Sequence, residues 1–94
     1  MSTPSGIEII QILGQRFAQY RKRAKLTQKD VAEQSGVSVF TISGFENGSQ
    51  YGISLKTFVK LLRAIGEEVA IQNILPEQLP SPAELFHTLH GKKK

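Results

Sequence analysis

Helix punctuation is the feature of this sequence that most narrows its fold. The hydroxyl residues Ser5, Thr27, Ser38 and Ser54 each stand just before an apolar run with helical spacing, and Gly36, Gly48 and Gly66 stand just after the last three of those runs. A hydroxyl at the cap accepts a backbone N–H that the first turn of a helix leaves without a partner, and a glycine past the end takes the left-handed conformation that turns the chain. Ser5-Gly6-Ile7-Glu8 is a full capping-box pattern, because Glu8 can reach back to the Ser5 N–H. A first helix therefore starts near Ile7, with Ile10, Leu13, Phe17 and Tyr20 on its apolar side and Gln11, Gln15, Gln19 and Arg23 on the other. It ends around Lys25, where Arg21, Lys22, Arg23 and Lys25 place positive charge at the negative end of the helix dipole.

Thr27 and Asp30 open a short second helix from Gln28 to about Gln34, with Val31 and Ala32 inward and Gly36 as its stop. Ser38 opens a third, which runs through Ile42 and Phe45 to about Glu46 and stops at Asn47-Gly48. After a polar loop from Ser49 to Ile53, Ser54 caps a fourth helix carrying Leu55, Phe58, Val59, Leu62 and Ile65 on one face. Phe17, Phe45 and Phe58 sit at core spacings. The segment Glu68 to Leu75 has β-branched residues at 69, 71 and 74, lacks a helical period and is halted by Pro76, so it reads as a short strand. A lone strand needs a ladder partner, and the chain offers no second candidate. Val69, Ile71 and Ile74 are thus expected to pair with the same strand of a second copy, in a homodimer. Pro76, Pro80 and Pro82 mark a linker, followed by a short helix to His90 and a basic tail from Gly91 to Lys94.

With 94 residues the chain holds one domain, and its 39% hydrophobic and 21% charged residues are those of a globular protein. The absence of cysteine excludes disulfides and thiolate chemistry, so stability must come from packed helices, a partner or self-association. A net charge of +4 favours a polyanionic partner. No segment approaches the ~18–20 apolar residues of a membrane span, and the first five residues lack the charged and apolar regions of a signal peptide. The chain reads as cytoplasmic, with no membrane partner.

Two short helices joined at a glycine, the second capped by serine, are the outline of a helix-turn-helix. Leu26 to Ser38, followed by Thr41-Ile42-Ser43 and Phe45-Glu46-Asn47-Gly48, resembles the Cro/repressor (xenobiotic-response-element type) DNA-binding domain over residues 13–66. Within that family, Ser54 to Leu62 followed by a strand-like segment is similar to the HipB-like antitoxins of bacterial toxin–antitoxin operons. The resemblance implies an all-α, lambda-repressor-like bundle of four to five helices, with the short C-terminal strand pairing across a dimer. Residues 7–66 would form the DNA-binding domain, 67–76 the dimerising strand, and 77–94 a linker, short helix and tail. The implied function is repression of transcription at a pseudo-palindromic operator in double-stranded DNA, in a bacterial cytoplasm and at the nucleoid. A HipA-like kinase toxin would be a further partner.

Carried onto this sequence, the family pattern has Gln28 contact a phosphate and brace the recognition helix, which presents Ser38, Val39, Phe40, Thr41 and Ser43 to the major groove. Asn47, Ser49 and Gln50 fall where the family places backbone contacts, and Glu46 where an acid pairs or caps within the domain. Val39, Phe40 and Gly44 depart from the usual Gln, Arg, Asn or Lys, which removes most bidentate readout. Val39 and Phe40 can instead read thymine methyl groups, and for Phe40 a second role stays open: packing elsewhere, for instance on a partner protein. Gly44 costs about 1 kcal/mol of helix stability relative to Ala, and either allows a close approach to the backbone or has no special role. Arg21, Lys22 and Lys25 either add electrostatic affinity or form a solvated helix end.

An enzyme would need a nucleophile, a base or a metal set. The sole suggestive pattern is Glu84-x-x-His87 with His90 beyond it, without a second Glu/His set, so neither catalysis nor a metal or other cofactor is expected. Gly44, Gly48 and Gly52 lack the Gly-Lys-Ser/Thr ending of a phosphate loop. The competing class is a protein-interaction module, because Leu75, Leu79, Leu85, Phe86 and Leu89 continue an apolar series after the core is accounted for.

Overall fold

A computed structural model describes residues 3–83, and these form α1 (Gly6–Arg23), α2 (Gln28–Ser35), α3 (Val39–Asn47), α4 (Leu55–Ala64) and α5 (Glu68–Ile74). The first four helices start at the expected hydroxyls. Ser5 accepts from the Glu8 N–H at 3.1 Å while Glu8 accepts from the Ser5 N–H at 2.7 Å, and Thr27 and Asp30 repeat the exchange at 3.0 and 2.8 Å. Ser38 and Ser54 accept from Thr41 and Thr57 in the same way. None of these described helices is long and apolar enough to cross a membrane.

Packing begins where α1 crosses α3. A Cβ added at Gly14 would land on the carbonyl oxygen of Phe45, so the missing side chain is what lets the two backbones touch. On either side of that crossing, Phe17, Val31, Ile42, Phe45, Leu61, Leu62 and Ile65 close the core. Phe45 lies at its centre, with ring centroids 5.8 Å from Phe17 and 6.0 Å from Phe58. The three aromatic rings expected in the core therefore meet as one cluster joining α1, α3 and α4, tilted between Phe17 and Phe45 and edge-on between Phe45 and Phe58.

Several inward faces differ from the sequence expectation. On α1, Gly14, Phe17 and Arg21 are buried, whereas Leu13 and Tyr20 stay 37% and 53% exposed. Gln11, expected on the outer side, is half-buried and donates to the Gly48 carbonyl at 3.0 Å. On α4, Leu55 is 73% exposed while Leu61 is fully buried, so the inward stripe is Phe58, Leu61, Leu62 and Ile65.

The expected strand is a helix. Residues 68–74 form α5, no strand occurs among the described residues, and Val69, Ile71 and Ile74 therefore build no intersubunit ladder. The reason lies at the end of α4. Gly66 takes a φ of 79°, its N–H reaches the Arg63 carbonyl at 3.1 Å, and the Glu67 N–H reaches the Leu62 carbonyl at 2.8 Å. This paired closure of the helix end reverses the chain and brings Ile71 onto the core. Strand propensity spans only about 1 kcal/mol, which burial of one branched side chain exceeds. Val69 and Ile74 remain exposed. The expected terminal helix, Glu84-x-x-His87, Leu85, Phe86, Leu89 and the tail from Gly91 lie outside the described residues.

Candidate nucleic-acid interface

The interface is built on a buried ion pair. Arg21 donates from Nε and Nη2 to the two carboxylate oxygens of Glu46 at 2.6 and 2.9 Å, and from Nη1 to the Leu26 carbonyl at 2.8 Å. Glu46 in turn accepts from Nε2 of Gln28 at 3.0 Å. One carboxylate on α3 thereby holds α1 and the first residue of α2, while Arg21 ties in the turn between them. The Glu46 hydrogen bonds push the Arg21 guanidinium above its ordinary value, so it stays charged. Arg21 is thus no part of a free basic cluster, and Glu46 pairs inside the domain as the family resemblance implied.

Gly36 closes α2 with a φ of 76°, and Val37 and Ser38 complete the turn into α3. At the start of α3 two hydroxyls hold each other: Ser38 accepts from the Thr41 N–H at 3.1 Å and donates from Oγ to Oγ1 of Thr41 at 3.0 Å. Val39 and Phe40 are 42% and 76% exposed. Phe40, Ser43, Gly44 and Asn47 recur at spacings of three and four, on the face away from buried Ile42 and Phe45. Thr41 and Ser43 are half-buried.

Beyond α3, Gly48 turns the chain at a φ of 87°, and Ser49 N–H donates to Oδ1 of Asn47 at 2.9 Å. The Gln50 N–H then returns to the Gly44 carbonyl at 2.9 Å. A Cβ on Gly44 would collide with the Gln50 side chain, which explains the glycine inside a helix: it makes room for Gln50. Asn47 and Ser49 are exposed, Gln50 half-buried. Lys25 is exposed in the turn after α1, with a φ of 63°.

The fold thus joins Gln28 to α3 through Glu46, and links Asn47, Ser49 and Gln50 to the end of the same helix. Sequence reasoning missed the hold of Gln11 on the Gly48 carbonyl and the place of Arg21. A glycine in phase with Ile10, Phe17 and Arg21 was the available signal that α1 runs hard against another backbone. A family model described as helix-turn-helix matches residues 17–71. Searches of curated proteins and of solved structures returned no match.

Proposed function

The chain belongs to the helix-turn-helix family of the Cro/repressor type, and from that premise we propose that this DNA-binding regulator represses transcription by occupying a pseudo-palindromic operator as a dimer. The observation that carries the reading is the brace: Arg21, Gln28 and Glu46 set α2 against α3 while Val39 and Phe40 at the start of α3 stay exposed. In this reading Ser38, Val39, Phe40, Thr41 and Ser43 face base edges. Gln28, Lys25, Asn47, Ser49 and Gln50 approach the phosphates, and the N-terminus of α2 supplies N–H groups beside Gln28. Affinity comes largely from the phosphates and falls steeply with salt.

The dimer reading rests on the side of the molecule lined by α1, α4 and α5. Leu13, Phe17, Phe58, Leu62, Ala70 and Ile74 border a groove of about 300 Å³, with Arg16 and Glu67 also on its walls. No residue of α2 or α3 lines this groove, so pairing there leaves the recognition helix free. The antitoxin reading has less support, because the strand that formed half of the HipB-like resemblance is α5; a kinase toxin as partner rests on the sequence of α4 alone.

The test is binding to the chain's own upstream DNA and to a scrambled duplex, by fluorescence anisotropy at about 50 and 200 mM salt. Preference for the upstream duplex that survives the higher salt supports an operator-specific repressor. Equal, salt-labile binding to both would overturn operator specificity.

A further inference from the structure

We propose that α3 reads the C5-methyl groups of pyrimidines, with Phe40 as the principal contact and Val39 beside it; the proposal rests on the DNA-binding reading above. The argument is an inventory of what the helix has left to offer a base. Ser38 and Thr41 hold each other and the cap, which leaves the Thr41 hydroxyl proton and the half-buried Ser43 as the only hydroxyl donors along this stretch of α3. Gln28 gives one Nε2 hydrogen to Glu46 and keeps the other for a phosphate, and Glu46 accepts from Arg21 and Gln28. The place at Gly44 has no side chain and is covered by Gln50. Asn47, at the far end of α3, accepts from Ser49 through Oδ1 and keeps its Nδ2 donors about two turns along from Phe40. Between Val39 and Asn47 there is no Lys, Arg or Gln.

What projects from the first turn is apolar: Phe40 at 76% exposure and Val39 at 42%. In the major groove the apolar feature of a base edge is the methyl group on C5, carried by thymine and equally by 5-methylcytosine. Uracil and cytosine present the same hydrogen-bonding edges without it. Contact between an exposed aromatic ring and that methyl removes apolar surface from water on both partners, about fourfold in affinity for each methyl buried.

The experiment uses the full chain and the tightest-binding duplex selected from a random-sequence pool. That duplex is resynthesised with deoxyuridine in place of every thymidine, and separately with 5-methylcytosine in place of every cytosine. Removing the thymine methyls is expected to weaken binding by about fourfold or more. Phe40→Ala should lose most of the difference between the thymidine and deoxyuridine duplexes, while its melting temperature stays unchanged because the ring, 76% exposed, packs on nothing in the core. Loss with deoxyuridine and no response to 5-methylcytosine assigns the contact to thymine; tighter binding to the 5-methylcytosine duplex assigns it to methylated cytosine as well. Indifference to both replacements, with preference over a scrambled duplex retained, overturns methyl readout and leaves the DNA-binding reading standing. Failure to bind any duplex at about 50 mM salt overturns both.

Discussion

The guanidinium of Arg21 grips both oxygens of Glu46, at 2.6 and 2.9 Å, with their side chains only 9% and 7% exposed. Removing one partner leaves a buried charge without compensation, which typically costs 3–5 kcal/mol. Glu46→Leu alone is therefore expected to lower stability by about 3 kcal/mol or more in urea denaturation. The double variant Arg21→Met/Glu46→Leu should recover a large part of that loss. A double variant no more stable than Glu46→Leu would show that the pair's hydrogen bonds, and not the stranded charge, dominate.

Gly14 and Gly6 make a controlled comparison within one helix. Alanine favours the helix by up to about 1 kcal/mol at an unobstructed site, and a Cβ at Gly6 meets nothing within 4 Å. At Gly14 it would strike the Phe45 carbonyl. Gly6→Ala should be neutral or stabilising, and Gly14→Ala should destabilise by roughly 1–3 kcal/mol as α1 is pushed off α3. Equal melting temperatures for the two variants would refute the close crossing.

The punctuation that segments the helices was legible because caps act locally. Ser5, Thr27, Ser38 and Ser54 need only the next three residues to do their work, and each begins a helix where expected. Inward faces were less legible, because they depend on where the neighbouring helix lies. Leu13 has the hydrophobicity to be core, yet the crossing at Gly14 rotates α1 so that the polar Gln11 and Arg21 point toward α3 and the loop after it. The segment from Glu68 was misread for a related reason: its β-branched residues have a local preference, but the turn at Gly66 folds them onto a core that exists only in three dimensions. At the candidate interface, the residue types of α3 could be read directly. Which of its polar groups are already bonded could not.

Lys25 closes α1 in the same way that Gly66 closes α4. The Lys25 N–H reaches the Lys22 carbonyl at 3.0 Å and the Leu26 N–H reaches the Arg21 carbonyl at 3.2 Å, with Lys25 at a φ of 63°. A side chain in that conformation costs about 1 kcal/mol. Lys25→Gly should raise the unfolding free energy by up to about 1 kcal/mol, and, if Lys25 meets a phosphate, should lower the slope of log affinity against log salt by about 1. A more stable variant with an unchanged slope would place Lys25 off the DNA.

Asp30 sits below its ordinary value because its carboxylate accepts the Thr27 N–H. The ionised form is thus favoured by folding, and the contribution is present at neutral pH and lost as pH falls through the acid range where Asp30 takes up its proton. The stability gap between the parent chain and Asp30→Ala should hold from neutral pH down to about pH 5 and narrow only below it. A gap that stays constant down to about pH 2 would disprove the ionic half of this cap.

The bond from Gln28 to Glu46 also fixes which way round an amide is presented. Because Nε2 faces the carboxylate, its second hydrogen is the one polar donor the side chain retains, and Oε1 is an acceptor that an anion would avoid. A phosphate meeting Gln28 must arrive on the Nε2 side, in line with the α2 N–H groups, and an approach half a turn away meets an oxygen instead. Glu46, buried and never touching a nucleotide, would in this way decide the angle at which the backbone of the duplex comes to rest.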